Sequence, residues 1–166
     1  MNTMDRMVQG VVGIALSLAA CAAIADTADS RYVARGGEVY DKKTDLTWAR
    51  CSIGQKWAEE KGCVGVVRKF AFDQAQVLGD GKWRVPSKDE LGSLVDEKRK
   101  AANQSPTIDE AVFPDMDKGA LWYWTSTQSG AESAWYIAFG GNKILTGFGS
   151  TSSSPRYAVR LVRSGQ

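Results

Sequence analysis

The pattern of hydrophobic and polar positions changes twice along the chain. Short runs in which apolar and polar residues alternate, separated by Gly-Gly or polar turns, predict three strands over 31–50. A helical period follows in the middle of the chain, and alternating runs return over 121–162, where they predict four more strands. Strands on both sides of a helical region predict an α+β domain in which two helices lie apart from small antiparallel sheets.

Two helices are predicted in the middle region. The first is a short helix within 69–81 that ends at a Gly. The second follows the sequence WRVPS, where Ser87 and Glu90 have the spacing of a capping box and apolar residues recur at i, i+3 and i+4 from Leu91. The basic run Lys98–Lys100 suits the negative end of a helix dipole. We therefore predict one continuous helix that ends on this basic run.

Four segments are predicted to be loops or turns. The segment 51–65 lies between two cysteines, and the connection 103–120 contains two prolines. Gly and Asn at 140–142 indicate a hairpin turn, and the Ser-rich segment 149–155 precedes the last strand. The small sheets are therefore expected to be joined by long loops.

The N-terminus has the three-part plan of a secretory signal peptide. An apolar run follows Arg6 and ends in an A-x-A cleavage site at Ala25. Cleavage there divides the chain into a signal peptide (1–25), a short N-terminal segment (26–35) and a domain (36–164) with no membrane span. This organisation predicts an exported protein that is periplasmic, secreted or at the cell surface.

The cysteines offer an alternative anchoring and predict a disulfide. Leu18–Cys21 resembles the site at which bacterial lipoproteins are acylated, so the alternative is an outer-membrane lipoprotein anchored through Cys21. In both cases Cys51 and Cys63 are the two thiols left. In an oxidising compartment they predict a structural disulfide rather than a metal site, which would need further ligands.

Composition narrows the chemistry that the domain can perform. The chain has 43% hydrophobic and 24% charged residues, which is typical of a globular protein, and its net charge of +2 does not point to nucleic acid. The chain has no His, which excludes Ser-His-Asp and Cys-His nucleophile systems and imidazole metal sites. The acidic run Asp109, Glu110, Asp115 and Asp117 lacks EF-hand spacing and is interpreted as a polar loop. We therefore expect a binding domain rather than an enzyme, with no cofactor and no metal.

Six motifs in a fixed order carry a family resemblance. Between Gly36 and Arg163 the chain contains TDLTWARCSIGQKW, WRVPSKDELGSLV, TIDEAVFP, WYWTST, AWYIAFGG and YAVRLVR. Together they resemble the family named for the C-terminal domain of a Legionella collagen-like adhesin, long classed as a domain of unknown function. The resemblance implies a C-type-lectin-like fold whose N- and C-terminal strands pair. It also implies an adhesin-like, non-catalytic domain that binds a carbohydrate or a sulfated glycan.

The chain departs from the founding member of that family in two respects. It lacks collagen-like Gly-X-Y repeats, so nothing in the sequence enforces the trimer of that adhesin, and a homo-oligomer is an open expectation. It also lacks the Glu-Pro-Asn, Gln-Pro-Asp and Trp-Asn-Asp triplets of calcium-dependent lectins. Calcium-dependent sugar binding is therefore not predicted. The alternative to a glycan ligand is an envelope protein, bound by a structural or interaction module.

Strand alternation and the family pattern divide the candidate residues between fold and ligand. In WYW, alternation places Trp122 and Trp124 on one face and Tyr123 on the other, so the triplet is not one continuous platform. The residues assigned to the fold are Trp83, Arg84, Pro86, Ser87, Glu90 and Trp124, with Arg84 as a buried ion-pair partner. The ligand-binding candidates, which supply aromatic rings for a sugar face or cations for a sulfate, are Trp122, Tyr123, Tyr136, Lys143 and Arg156.

Overall fold

Three small antiparallel sheets and three short helices make up the described part of the fold. The computed structural model of the chain describes residues 30–116, 122–131, 133–140, 146–152 and 154–166. Within these residues the order is β1 (Tyr32–Arg35), β2 (Glu38–Asp41), β3 (Leu46–Ala49), β4 (Gln55–Ala58), β5 (Gly62–Gly65), α1 (Phe72–Gln76), α2 (Lys88–Gly92), α3 (Glu97–Ala101), β6 (Trp122–Gly130), β7 (Ser133–Phe139), β8 (Thr146–Ser152) and β9 (Val162–Ser164). The predicted α+β class is confirmed.

The first sheet contains four strands in the order β1-β2-β3-β9. Its first three strands are those predicted over 31–50, and all pairs in the sheet are antiparallel. The expected pairing of the first strand with the last is wrong, because β9 pairs with β3 and Trp48 lies opposite Val162. Tight turns pair β1, β2 and β3 in sequence order, which leaves the outer edge of β3 for the C-terminal strand. The strand β1 lies in the segment 26–35 that was placed before the domain.

The segment 51–65 is a hairpin of β4 and β5 rather than the predicted loop. Its turn has positive φ angles at Glu60 (64°) and Gly62 (72°), a conformation that Gly adopts without cost. The predicted disulfide is confirmed, with an S–S distance of 2.06 Å between Cys51 and Cys63. It joins a residue that precedes β4 to a residue of β5.

The third sheet has the order β6-β7-β8 and contains three of the predicted strands. Two predicted boundaries are wrong here. The strand β8 continues through Ser152, so half of the Ser-rich segment 149–155 is a strand. The last predicted strand is not continuous, because Tyr157 and Ala158 form isolated bridges before β9 begins. The predicted hairpin turn at 140–142 lies largely outside the described residues.

The helices confirm the capping signal and correct the predicted length. At the start of α2 the Glu90 amide donates to Ser87 Oγ at 3.2 Å, and the Ser87 amide donates to Glu90 Oε2 at 2.7 Å. The continuous helix to Lys100 is wrong, because α2 ends at Gly92 and Asp96 caps the separate helix α3. The Asp96 side chain accepts hydrogen bonds from the amides of Lys98 and Arg99, which is the contact of an N-cap and begins a new helix. The helix predicted within 69–81 is α1, so the described residues contain three helices where two were expected.

Two hydrophobic clusters lie on opposite faces of the β6–β7 pair. The large core includes Trp48, Leu91, Ile108, Tyr123, Ile137 and Val162. The small core includes Phe70, Phe72, Ala75, Trp124, Ala134 and Val159. Because neighbouring residues of a strand point to opposite faces, Tyr123 enters the large core and Trp124 enters the small core.

The predicted signal peptide, with its cleavage site and Cys21, lies outside the described residues. Among the residues that the structure does describe, no helix has the length and hydrophobicity needed to cross a membrane.

Candidate functional site

An aromatic cluster at the margin of the small core reaches the protein surface at Trp122. Tyr157 is its centre: its ring stacks on Trp122 with centroids 6.2 Å apart and planes 29° apart, and it meets Tyr136 edge-on at 5.1 Å. Trp124 lies beneath, with its centroid 4.5 Å from that of Tyr157. Trp122 is 37% exposed, and Tyr136 and Tyr157 are half-buried. We call Trp122, Tyr136 and Tyr157 the aromatic platform.

Backbone hydrogen bonds fix the positions of these rings. Phe70 and Tyr157 exchange two bonds, of 2.9 and 3.0 Å between amide nitrogen and carbonyl oxygen. The next residue continues the pairing, because the Ala158 amide donates to the Trp122 carbonyl at 3.0 Å. Tyr136 lies opposite Trp124 in the β6–β7 register. The platform is therefore built on paired backbone, which limits the reorganisation that binding would require.

The triplet WYW divides between two faces, as alternation predicted. Trp122 and Trp124 both contact Tyr157, whereas Tyr123 points into the large core. The Tyr123 side chain is fully buried, and its hydroxyl lies 2.8 Å from Ser52 Oγ and donates to Met116 Sδ at 3.3 Å. Burial raises the pKa of this phenol. The inclusion of Tyr123 among the ligand-binding candidates is therefore wrong, because its buried ring presents no surface to a ligand.

A groove with basic walls lies beside the platform. It has a volume of about 330 Å³ and runs between the segment Arg68–Phe70 and α1. Arg68, Lys69 and Arg156 line it, and we call these three residues and the cavity between them the basic groove. The Arg156 guanidinium donates to Gln74 Oε1 at 3.2 Å, and the Arg68 guanidinium lies 5.3 Å from the centroid of the Phe70 ring. The groove adjoins the platform because Phe70, which lines the groove, exchanges backbone hydrogen bonds with Tyr157.

The structure thus brings together three of the five ligand-binding candidates. Trp122 and Tyr136 belong to the platform, and Arg156 belongs to the groove. Lys143 lies outside the described residues. Sequence reasoning missed Tyr157, whose only signal was its place after Arg156, as the first residue of the motif YAVRLVR. Its central role depends on the bridge to Phe70, which the local sequence pattern does not reveal.

Apart from Trp124, which lies in the small core, the residues assigned to the fold motif lie near the start of α2. Pro86 is buried and its carbonyl accepts a 2.7 Å hydrogen bond from the Ser126 amide. Arg84 forms two hydrogen bonds to Glu90, of 2.6 and 2.7 Å. The expectation of a buried ion pair is wrong, because the Arg84 side chain is 46% exposed. Trp83 is half-buried under the Arg163 guanidinium, 5.4 Å from its ring centroid. Hydrogen bonds from Arg84 lower the pKa of Glu90.

A buried charge network lies apart from the platform, in the large core. The side chains of Arg160 and Asp115 are both fully buried and form a salt bridge. The same guanidinium donates to the carbonyls of Ala49 and Arg50, at 2.7 and 2.6 Å. Asp115 also accepts from the amide and hydroxyl of Ser52. Since both carboxylate oxygens of Asp115 accept from these donors, the network has the character of an internal cross-link between loops.

Two further acidic residues of the 109–117 run are likewise engaged in hydrogen bonds. Asp109 accepts from the Ala111 amide at 3.0 Å, and Glu110 pairs with Arg99 at 2.6 Å. Asp117 lies outside the described residues. In the described ranges, no group of three or more Cys, Asp or Glu side chains is arranged to hold a metal ion.

Comparison with known proteins gives one match. A family model described as the Lcl C-terminal domain matches residues 37–163, a range that contains both the aromatic platform and the basic groove. No curated protein and no solved structure matches the chain. The C-type-lectin-like fold therefore stays a prediction. The family points to a non-catalytic, adhesin-associated domain of a secreted or surface protein.

Proposed function

The chain belongs to the Lcl C-terminal domain family, and from that premise we propose that it is a non-catalytic recognition domain that binds a glycan. The ligand would lie on the aromatic platform, with its anionic substituents directed to the basic groove. The observation that carries the proposal is the stack of Trp122 on Tyr157 next to Arg156, at a partly exposed surface.

The aromatic platform has the chemistry that a sugar ring requires. A Trp or Tyr ring offers a flat apolar face together with a polar N–H or O–H group, so it can cover the C–H face of a sugar and still reach a hydroxyl. Burial raises the pKa of the Tyr157 phenol, and Tyr136 adds to the effect. The phenol therefore stays neutral at physiological pH and adds no negative charge that would repel an anionic glycan.

The basic groove supports a sulfated or carboxylated glycan over a neutral one. Arg68, Lys69 and Arg156 line it, and no carboxylate occurs among the described residues of its lining. An Arg guanidinium is suited to planar, two-point hydrogen bonding with such an anionic group. Because these cations are exposed, salt would screen their attraction for the ligand. Affinity that falls as salt rises is therefore expected.

The experiment that tests the proposal uses residues 26–166, which contain both hydrophobic clusters. The protein is screened on an array of neutral and sulfated glycans at low and moderate salt, and its oligomeric state is measured alongside. Trp122→Ala should weaken binding about tenfold, which corresponds to about 1.4 kcal/mol. Trp83→Ala is the matched control, because that ring is also partly exposed but lies outside the platform.

The charge component is tested with a second pair of variants. Arg156→Gln should weaken binding to sulfated members and reduce its salt dependence, whereas the exposed Arg35→Gln should leave both unchanged. If the protein binds no glycan on the array and one envelope protein is recovered with it in stoichiometric amount, the glycan-binding proposal is contradicted. That result would favour a protein-interaction module.

A further inference from the structure

One almost fully exposed valine lines the basic groove, and a second lies two residues before Arg68 in the chain. Val77 lines the groove at the end of α1 and is 82% exposed. Val66, which is 81% exposed, precedes Arg68 by two positions in the segment that forms the opposite wall. Neither side chain belongs to the large or the small core. A glycan with many hydroxyl groups gives branched aliphatic side chains little to bind, so the proposed function does not account for them.

The basic groove itself is amphipathic. Its inner surface includes Phe70 and Leu78, both of which pack on or within the small core. The cations stand at its margin, and the hydrogen-bond partner of Arg156 is the neutral side chain of Gln74. Among the described residues no carboxylate forms a salt bridge with Arg156, so its charge is not neutralised there. The surface therefore combines protruding aliphatic side chains with positive charge over an apolar groove.

This combination is the one by which proteins associate with the surface of a bilayer. Aliphatic side chains enter the boundary between headgroups and acyl chains, while Lys and Arg side chains attract anionic lipids. We propose that the basic groove, with Val66 and Val77, docks the domain on a membrane surface that contains anionic phospholipid. The headgroup phosphate would lie between Arg68 and Arg156, and both valines would enter the outer part of the bilayer.

Membrane docking is separable from glycan binding, although the two share cations. A polyanionic glycan and an anionic bilayer both need Arg68 and Arg156, but only the bilayer gains from the valines. The aromatic platform contributes to glycan binding but not to membrane docking, since Trp122 stacks on the sugar ring in the proposed complex. Variants at the valines and at Trp122 therefore report on different ligands, and failure of one proposal leaves the other standing.

The test measures co-sedimentation of residues 26–166 with vesicles of phosphatidylcholine, with and without phosphatidylglycerol. We expect binding to the anionic vesicles alone, weakening as salt rises. The double variant Val66→Ser, Val77→Ser should bind about tenfold more weakly, because two aliphatic groups no longer leave water. Arg68→Gln should weaken binding about fivefold, and Arg35→Gln, the matched control, should leave it unchanged. Val77→Trp should strengthen binding, since Trp favours the interfacial region.

Three results would overturn the proposal. If the protein binds no vesicles, or binds neutral and anionic vesicles equally well, docking on an anionic membrane is contradicted. If the valine double variant binds vesicles as well as the parent, and a sulfated glycan displaces the protein from them, the groove is a site for polyanions in general. A valine double variant that turns an oligomer into a monomer would show that a second copy covers the valines. Circular dichroism of each variant, and glycan binding by the valine double variant, establish that the fold is intact.

Discussion

Removal of the carboxylate of Asp115 is expected to destabilise the fold far more than removal of an exposed partner. In the native protein Asp115 neutralises Arg160, and both side chains are 0% exposed. Asp115→Ala leaves the guanidinium buried, with neutral oxygen partners alone: the carbonyls of Ala49 and Arg50 at 2.7 and 2.6 Å, and Ser52 Oγ at 3.5 Å. It also removes the acceptor of the buried Ser52 amide. The variant therefore creates an unpaired charge and an unpaired donor in one step.

The magnitude follows from burial. Breaking a buried ion pair by removing one partner costs about 3–5 kcal/mol, because the remaining charge keeps its desolvation penalty. The matched control is Glu110→Ala, which removes a carboxylate that lies 2.6 Å from Arg99 with side-chain exposures of 51% and 25%. Water takes the place of that partner, so the control should cost about 0–1 kcal/mol. The two variants break the same kind of pair and differ chiefly in exposure.

Urea unfolding followed by tryptophan fluorescence measures both free energies of unfolding. The chain has six Trp, and Trp48 in the large core reports on the region of the network. Losses of similar size in the two variants would refute the reasoning, because burial would then not set the cost. Asp115→Asn adds a second check: it keeps an acceptor for Ser52 but not the charge, so it should fall between the parent and Asp115→Ala.

Three further predictions concern the backbone, the disulfide and pH. Gly54→Ala should destabilise the fold by more than about 2 kcal/mol, since φ is +101° and the added Cβ would lie 2.3 Å from a carbonyl oxygen. The control is Gly81→Ala, where φ is +85° and, its chain neighbours aside, no described residue lies within 4 Å of the added Cβ. In the same urea assay this control should cost only about 1 kcal/mol of backbone strain. The double variant Cys51→Ser, Cys63→Ser should lose roughly 3 kcal/mol, and a thermal transition unchanged from the parent would contradict this. The arginine partner of Glu90 holds its pKa below the ordinary 4.5, so the stabilisation is complete above that pH and is lost as the pH falls through the folded pKa. Glu90→Gln should therefore flatten the acid limb of a stability–pH curve, and an unchanged limb would count against the ion pair.

What the sequence predicted correctly was mostly local. The capping box at Ser87 and Glu90 needs only a spacing of three residues, and the structure contains both of its hydrogen bonds. The start of α3 could also have been predicted from the local sequence, since Asp96 followed by Glu97 is an ordinary helix start. The basic run was instead assigned to the end of a longer helix, because the apolar period at Leu91, Leu94 and Val95 continues across the break.

The candidate site depended on contacts that a local pattern does not contain. Alternation separated Trp122 from Tyr123 by face, but it did not show that both faces of β6 are covered, which is why Tyr123 is buried. Tyr157 lies at the centre of the platform because its backbone pairs with Phe70, which is distant in sequence. Periodicity within one strand does not identify such a partner.

The short segment from Tyr157 to Val162 determines when the domain is able to fold. Ala158 and Val162 belong to the large core, Val159 belongs to the small core, and Arg160 carries the charge that Asp115 requires. A chain synthesised or translocated from its N-terminus delivers this segment after all three helices and β1–β8. Until it arrives, both clusters are incomplete and a carboxylate lacks its counter-charge. The nascent domain is therefore exposed to proteases for a period set by the rate of chain delivery, and one late-arriving segment ends that period for both cores together.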